Sequence, residues 1–194
     1  MFFTGDAGTG KSYLLRVLVE ALQEQVGKDK VFVTASTGIA ACNIGGITVH
    51  SFAGLGIAEM DLNHTLRKIR QNESAVDRWK TCSVLIIDEI SMLDGRLFDT
   101  LEYAARVLRC SDLPFGGIQV VLCGDFFQLP PVGLGRNGVI FCFEARWWNA
   151  VVEVGEEIGC YVAHNDHAEG VSTEGSRVAG SSSRDSICLG ERAR

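Results

Sequence analysis

Gly5-Asp6-Ala7-Gly8-Thr9-Gly10-Lys11-Ser12 spells G-x-x-x-x-G-K-S, the pattern of a phosphate-binding loop. Glycine at these positions lets backbone N–H groups turn inward around a triphosphate. Lys11 has the length and charge to reach the β- and γ-phosphates, and the Ser12 hydroxyl suits Mg²⁺. A short apolar stub, Phe2-Phe3-Thr4, precedes the loop, and Leu14, Leu15, Leu18, Ala21 and Leu22 follow at helical spacing. A strand–loop–helix unit of this kind aims a helix N-terminus at the phosphates.

Three further sets can do chemistry with it. Asp88-Glu89 follows four aliphatic residues, Val84-Leu85-Ile86-Ile87, at what reads as the end of a buried strand. In a nucleotide-hydrolysing site the Asp holds Mg²⁺ and the adjacent Glu orients and deprotonates the attacking water. Gly124-Asp125-Phe126-Phe127-Gln128-Leu129-Pro130-Pro131-Val132 follows the next apolar run. Gln128 carries both hydrogen-bond polarities and can sense a γ-phosphate or its water. Thr34-Ala35-Ser36-Thr37-Gly38 and Thr48-Val49-His50-Ser51-Phe52 supply hydroxyls, a helix start and one aromatic, which suits a track for single-stranded nucleic acid. His164 and His167 lie near Cys160 but lack a fourth partner, so they are not read as a metal site.

The elements that must position these groups alternate along residues 1–152. Val31–Thr34, Val84–Ile87 and Val120–Cys123 read as strands. Gly38 to Ile44 reads as a short helix capped by Ser36 or Thr37. Residues 63–81 read as amphipathic surface helices. Residues 94–109 read as a helix with Leu97, Leu101, Ala104, Ala105 and Leu108 on one side. The expected fold is a wound, mostly parallel α/β sheet with flanking helices. From Glu153 the apolar periodicity fails, and Gly, Ser and small polar residues dominate, so residues 153–194 are expected to be a largely irregular, disordered tail.

Bulk composition narrows the class. The chain has 194 residues, 46% of them hydrophobic, enough for one domain with a buried core. No apolar run reaches the length of a membrane span, and no basic-then-apolar leader opens the chain. Seven scattered cysteines without a C-x-x-C pair point to reduced thiols. The net charge of −6 is uneven: residues 1–150 carry 14 basic against 16 acidic side chains, residues 151–194 carry 4 against 8. A local basic strip remains compatible with that total.

Taken together, the strings resemble one family: the Pif-type (petite integration frequency) 5′-to-3′ DNA helicases of superfamily 1B. The match runs over about residues 2–150 through Phe2–Ser12, Thr34–Ala41, Gly45–Gly54, Ile87–Met92, Pro114–Gln119, Cys123–Val132 and Phe141–Glu144, with Trp147 or Trp148 beyond. The resemblance implies a RecA-like P-loop NTPase domain, the first of two motor domains. It implies ATP and Mg²⁺ as cofactors, held by Gly5, Ala7, Gly8, Thr9, Gly10, Lys11, Ser12, Asp88 and Gln128, with Ser12 and Asp88 on the metal. Lys11, Glu89 and Gln128 would be catalytic, and Thr34, Ser36, His50 and Phe52 would lie along single-stranded DNA. The implied partners are single-stranded DNA and DNA junctions, with no membrane, acting as a monomer. The implied setting is genome maintenance in nucleus or mitochondrion: telomeres, recombination, repair.

Two departures accompany the match. The family's segment upstream of the first strand, with a glutamine that reads adenine, is not among these residues. After Val152 the family's Leu-Thr-x-x-x-Arg-Gln string is replaced by Glu153-Val154-Gly155-Glu156-Glu157-Ile158. The expectation is a fragment without the second motor domain, its tail arising from out-of-frame or unspliced translation, that binds MgATP weakly and unwinds nothing alone. Three rivals share the phosphate loop: a non-catalytic nucleotide- or DNA-binding product, a transposon-borne helicase of the same lineage, and a small-molecule kinase. The 48–54 and 124–132 strings speak against the last.

Overall fold

Val84–Asp88 (β4) is buried along its whole length, so it must lie inside a sheet covered on both faces. The computed structural model describes residues 1–6, 8–56, 62–131, 138–152 and, as backbone, 161–163. Ala7, Val132, Cys160, His164, His167 and the rest of residues 57–61, 132–137, 153–160 and 164–194 lie outside the described residues. The other strands are β1 (Phe2–Gly5), β2 (Val31–Ala35), β3 (Ile47–Thr48), β5 (Gln119–Cys123) and β6 (Tyr161–Ala163). The sheet order is β3-β2-β4-β5-β1-β6, and every pairing is parallel. The edge strand β6 falls within the stretch that composition alone reads as irregular.

Period-two alternation divides the core. Val84, Ile86, Val121 and Cys123 face one way and pack with Phe3, Leu15 and Leu22, the last two from α1 (Lys11–Val26). Leu85, Ile87, Val120 and Leu122 face the other way. They pack with α3 (Val49–Ala53), α5 (Glu73–Thr81), α6 (Gly95–Arg109) and α7 (Trp148–Val151). The expected amphipathic stretch is two helices, α4 (Leu62–Gln71) and α5. The short helix α2 (Gly38–Asn43) is capped by Thr37, whose hydroxyl accepts from the Ala40 N–H at 3.2 Å.

Details of facing differ from the periodicity. On α1, Leu14 and Ala21 are exposed, and only Leu15 and Leu22 are fully buried. On α6, Phe98 and Glu102 are buried along with Leu101, Ala104, Ala105 and Leu108, and Leu97 is only half-buried. The five described cysteines are free thiols. Burial pushes the Cys82 thiol up to about 12 and raises Cys123 and Cys142 as well.

The N-terminal ends of the strands are tied by Arg109. Its guanidinium donates to the carbonyls of Gly116, Trp79 and Cys82, each at 2.8 Å. A Cβ at Gly116, where φ is +61°, would sit 2.7 Å from the Ala105 carbonyl oxygen. The Pro114–Gly117 turn is therefore structural, and chemistry is left to the opposite, C-terminal ends of the strands.

Candidate functional site

Three loops leave the C-terminal ends of β1, β4 and β5. The first is the phosphate loop. Gly8 and Gly10 adopt φ of +80° and +88°, a region open to glycine at little cost. Gly10 hands directly into α1, accepting from the Tyr13 and Leu14 N–H groups at 3.0 Å. Lys11 Nζ arches back over the loop and donates to the carbonyl oxygens of Gly5 at 2.5 Å and Asp6 at 2.7 Å. The Thr9 hydroxyl closes the turn onto the Asp6 carbonyl at 2.9 Å. Ser12 is exposed on the first turn of α1.

The second loop carries the acidic pair. Asp88 is buried, 7% exposed, and its Oδ1 accepts from the Glu89 N–H at 2.9 Å. The charge of this carboxylate also raises the pKa of the neighbouring Cys123 thiol, after the larger effect of burial. Glu89 is turned out of the strand by a left-handed backbone, φ 54° and ψ 46°. That conformation is costly for a non-glycine residue and marks a turn held by its surroundings. Burial raises the Glu89 pKa above the usual carboxylate range. The negative charges of Asp88 and Asp125 raise it further, against the lowering effect of Lys11.

The third loop brings Gln128. Asp125 is 5% exposed, and both its oxygens are engaged: Oδ1 accepts from the Phe127 N–H at 3.0 Å, Oδ2 from Gln128 Nε2 at 3.1 Å. Gly124 has no room for a side chain; a Cβ would lie 2.8 Å from the Ile90 nitrogen. The Gln128 loop is thereby seated on the turn that presents Glu89. Lys11, Asp88, Glu89 and Asp125 form one electrostatic cluster, with Gln128 attached through Asp125. Asp125 carries no expected role from the sequence; the signal that marks it is an acid directly after a glycine at the end of a buried strand.

The proposed nucleic-acid residues divide. Phe52 is fully buried, with its ring against Trp79 at 4.8 Å between centroids and Phe32 at 5.2 Å. It cannot stack on a base from there; its expected role is corrected to that of a core residue. Thr34 is corrected in the same way: it is 0% exposed, and its hydroxyl donates to the Ile86 carbonyl at 2.7 Å, bracing β2 on β4. The Ser36 N–H donates to the Asp88 carbonyl at 3.1 Å, and its hydroxyl is buried without a partner. Ser36 thus borders the acidic turn. His50 is half-buried on α3, and burial lowers its pKa. Beside it Thr48 Oγ1 accepts from the Ser51 N–H at 3.1 Å.

The donor set fits a magnesium–nucleotide pair. Mg²⁺ keeps waters and binds through one or two carboxylates plus substrate phosphates. A carboxylate at Asp88 and a hydroxyl at Ser12 are donors of the kind that would meet that requirement, and among the described residues no group of three or more His, Cys, Asp or Glu could form an all-protein cage. Fold and site together define a RecA-like phosphate-loop NTPase domain, with its nucleotide loop and acidic turn on strands separated by one other strand.

Comparison with known proteins narrows the class to one family. The model of the PIF1-like helicase family matches residues 1–157, and the chain belongs to that family. It is 50% identical over 155 residues to the ATP-dependent DNA helicase PIF1 of Saccharomyces cerevisiae, covering 79% of this chain and 18% of that protein. It is 46% identical over 158 residues to the human ATP-dependent DNA helicase PIF1, covering 81% of this chain and 24% of that protein. The chain therefore spans about a fifth of the length of these curated relatives. Among solved structures, Pif1 helicase from Candida albicans superposes with a TM-score of 0.75 at 51% identity, over 79% of this chain and 34% of that one. Bacteroides Pif1 bound to single-stranded DNA gives 0.60 at 35% identity, over 76% and 35%.

Proposed function

We propose that this chain is the nucleotide-binding motor unit of an ATP-dependent 5′-to-3′ DNA helicase. The observation that carries the reading is the convergence of three loops: they leave the C-terminal ends of the neighbouring strands β4, β5 and β1, Gly124 of one packs on the Ile90 nitrogen of another, and Gln128 is bonded to Asp125. The phosphate loop binds the triphosphate of ATP, with Gly5, Ala7, Gly8, Thr9 and Gly10 offering backbone and Lys11 its charge. Ser12 and Asp88 hold Mg²⁺, which neutralises phosphate charge when bound. Glu89 takes a proton from water as that water's oxygen bonds to the γ-phosphorus and the bond to the ADP oxygen breaks. Its raised pKa brings it nearer neutrality, where a general base works best.

Single-stranded DNA is the proposed polymer partner, lying past His50 and the end of β2 near Ser36. Support comes from the family and from the relative whose solved structure holds single-stranded DNA. DNA junctions, action as a monomer, and roles in telomere maintenance, recombination and repair in nucleus or mitochondrion belong to the same proposal.

The test is a titration of this chain with a fluorescent ATP analogue, with and without Mg²⁺ and with and without an oligonucleotide. Saturable binding that needs Mg²⁺ and shifts with single-stranded DNA supports the reading. Binding indifferent to Mg²⁺ overturns it.

A further inference from the structure

We infer that Asp125 fixes the polarity of the Gln128 side-chain amide, so that Gln128 meets the reacting water with its carbonyl oxygen. The inference rests on the nucleotide reading of the site and adds a positioning residue to it. An amide side chain is two-faced: Oε1 accepts and Nε2 donates, and nothing in the residue itself decides which end faces a ligand. The decision comes from a neighbour that can only accept. An ionised carboxylate is such a neighbour, and the Asp125 carboxylate lies 3.1 Å from Nε2. Placing Oε1 there instead would set two acceptors against each other.

The carboxylate is itself well anchored. It is 5% exposed, and its other oxygen is held by the Phe127 N–H at 3.0 Å. The backbone closes the same turn, with the Gln128 N–H donating to the Asp125 carbonyl at 3.0 Å. Upstream, Gly124 has its nitrogen on the Phe3 carbonyl at 3.2 Å and its Cα face against Ile90. The loop is tied on one side to the strand that enters the phosphate loop and on the other to the acidic turn. From this base Gln128, itself exposed, has one Nε2 hydrogen on Asp125 and keeps two groups for use: the second Nε2 hydrogen and Oε1. Oε1 can accept from a water poised at the γ-phosphate, and the remaining N–H can donate to a phosphate oxygen. With the amide reversed, the two roles would be exchanged and the water would lose its acceptor.

Asp125→Asn is the test, because Asn keeps the shape and accepts either amide orientation. Two readouts separate this inference from the reading beneath it. The first is the side-chain amide resonance of Gln128 in nucleotide-free protein, labelled at glutamine nitrogen. It is expected to move on Asp125→Asn while other glutamine side chains stay in place; an unmoved resonance overturns the pairing. The second is affinity for ADP and for ADP with aluminium fluoride, a mimic of the transferring phosphoryl group. Asp125→Asn is expected to leave ADP affinity within about twofold and to weaken the fluoride complex by on the order of tenfold, the size of one oriented hydrogen bond. In the Gln128→Ala background it should add nothing further. Additive losses would show that Asp125 acts by another route and overturn the inference. Failure of the wild-type chain to bind ADP at all would sink the nucleotide reading, and the resonance would still judge the pairing.

Discussion

Gly124 and Ile90 touch so closely that a single added carbon at residue 124 would lie 2.8 Å from the Ile90 nitrogen and 2.9 Å from its Cγ2. This contact packs the loop carrying Gln128 directly against the turn carrying Glu89. Gly124→Ala is therefore expected to cost about 1–3 kcal/mol of stability, as overpacking does. It should also weaken binding of a phosphoryl-transfer mimic more than binding of ADP. Urea unfolding and parallel titrations check both; a stable variant with unaltered mimic binding would show that the two loops are independent.

Lys11 donates to two carbonyls of its own loop, an arrangement that a triphosphate would replace with charge-assisted bonds. Lys11→Ala is expected to reduce MgATP affinity by about 1.5–3 kcal/mol, the range for hydrogen bonds to charged groups. Its effect on stability should be small, because the lost bonds are exposed or half-buried ones. Calorimetric titration of the variant decides the first point and a thermal melt the second.

Glu89 yields a pH-dependent prediction. Its pKa is raised in the folded state, so the folded chain holds the proton more tightly than the unfolded chain does. The stability from that proton is complete below the ordinary Glu value of about 4.3 and is lost as pH rises through the raised value. At pH 8 the ionised Glu89 works against the fold. Glu89→Gln should therefore melt at a higher temperature than wild type at pH 8, and the gain should vanish near pH 4. A variant less stable than wild type at pH 8 would contradict the electrostatic picture of the turn.

Phe52→Ala separates a core residue from a base-stacking one. With the ring fully buried against Trp79 and Phe32, the substitution should cost about 3–5 kcal/mol in urea unfolding. Phe52→Leu should be far milder and should leave oligonucleotide affinity unchanged. Lost affinity in a well-folded Phe52→Leu protein would restore Phe52 to the DNA surface.

What the sequence reveals about this site depends on how local the cause is. The phosphate loop, the strand ending in Asp88-Glu89 and helix α6 are legible because glycine spacing, an unbroken aliphatic run and 3.6-residue periodicity are properties of adjacent residues. Phe52 and Thr34 sit in equally recognisable strings, yet their direction is set by partners far along the chain: Trp79 for one, Ile86 for the other. On a five-residue helix such as α3 there is too little periodicity to tell inside from outside. Asp125 was hidden for the same reason, since its importance lies in the amide three residues on and in the buried turn beside it. β6 is invisible to composition because an edge strand of three residues needs only backbone pairing.

The most direct measurement is a crystal structure of this chain with Mg²⁺, ADP and aluminium fluoride. The expected result has Lys11 and Gln128 on the fluoride group, Ser12 and Asp88 on the magnesium shell, and Glu89 facing the water in line for attack. A nucleotide bound elsewhere, or bound in the loop with Glu89 and Gln128 turned away from it, would contradict the assignment of this domain as a motor.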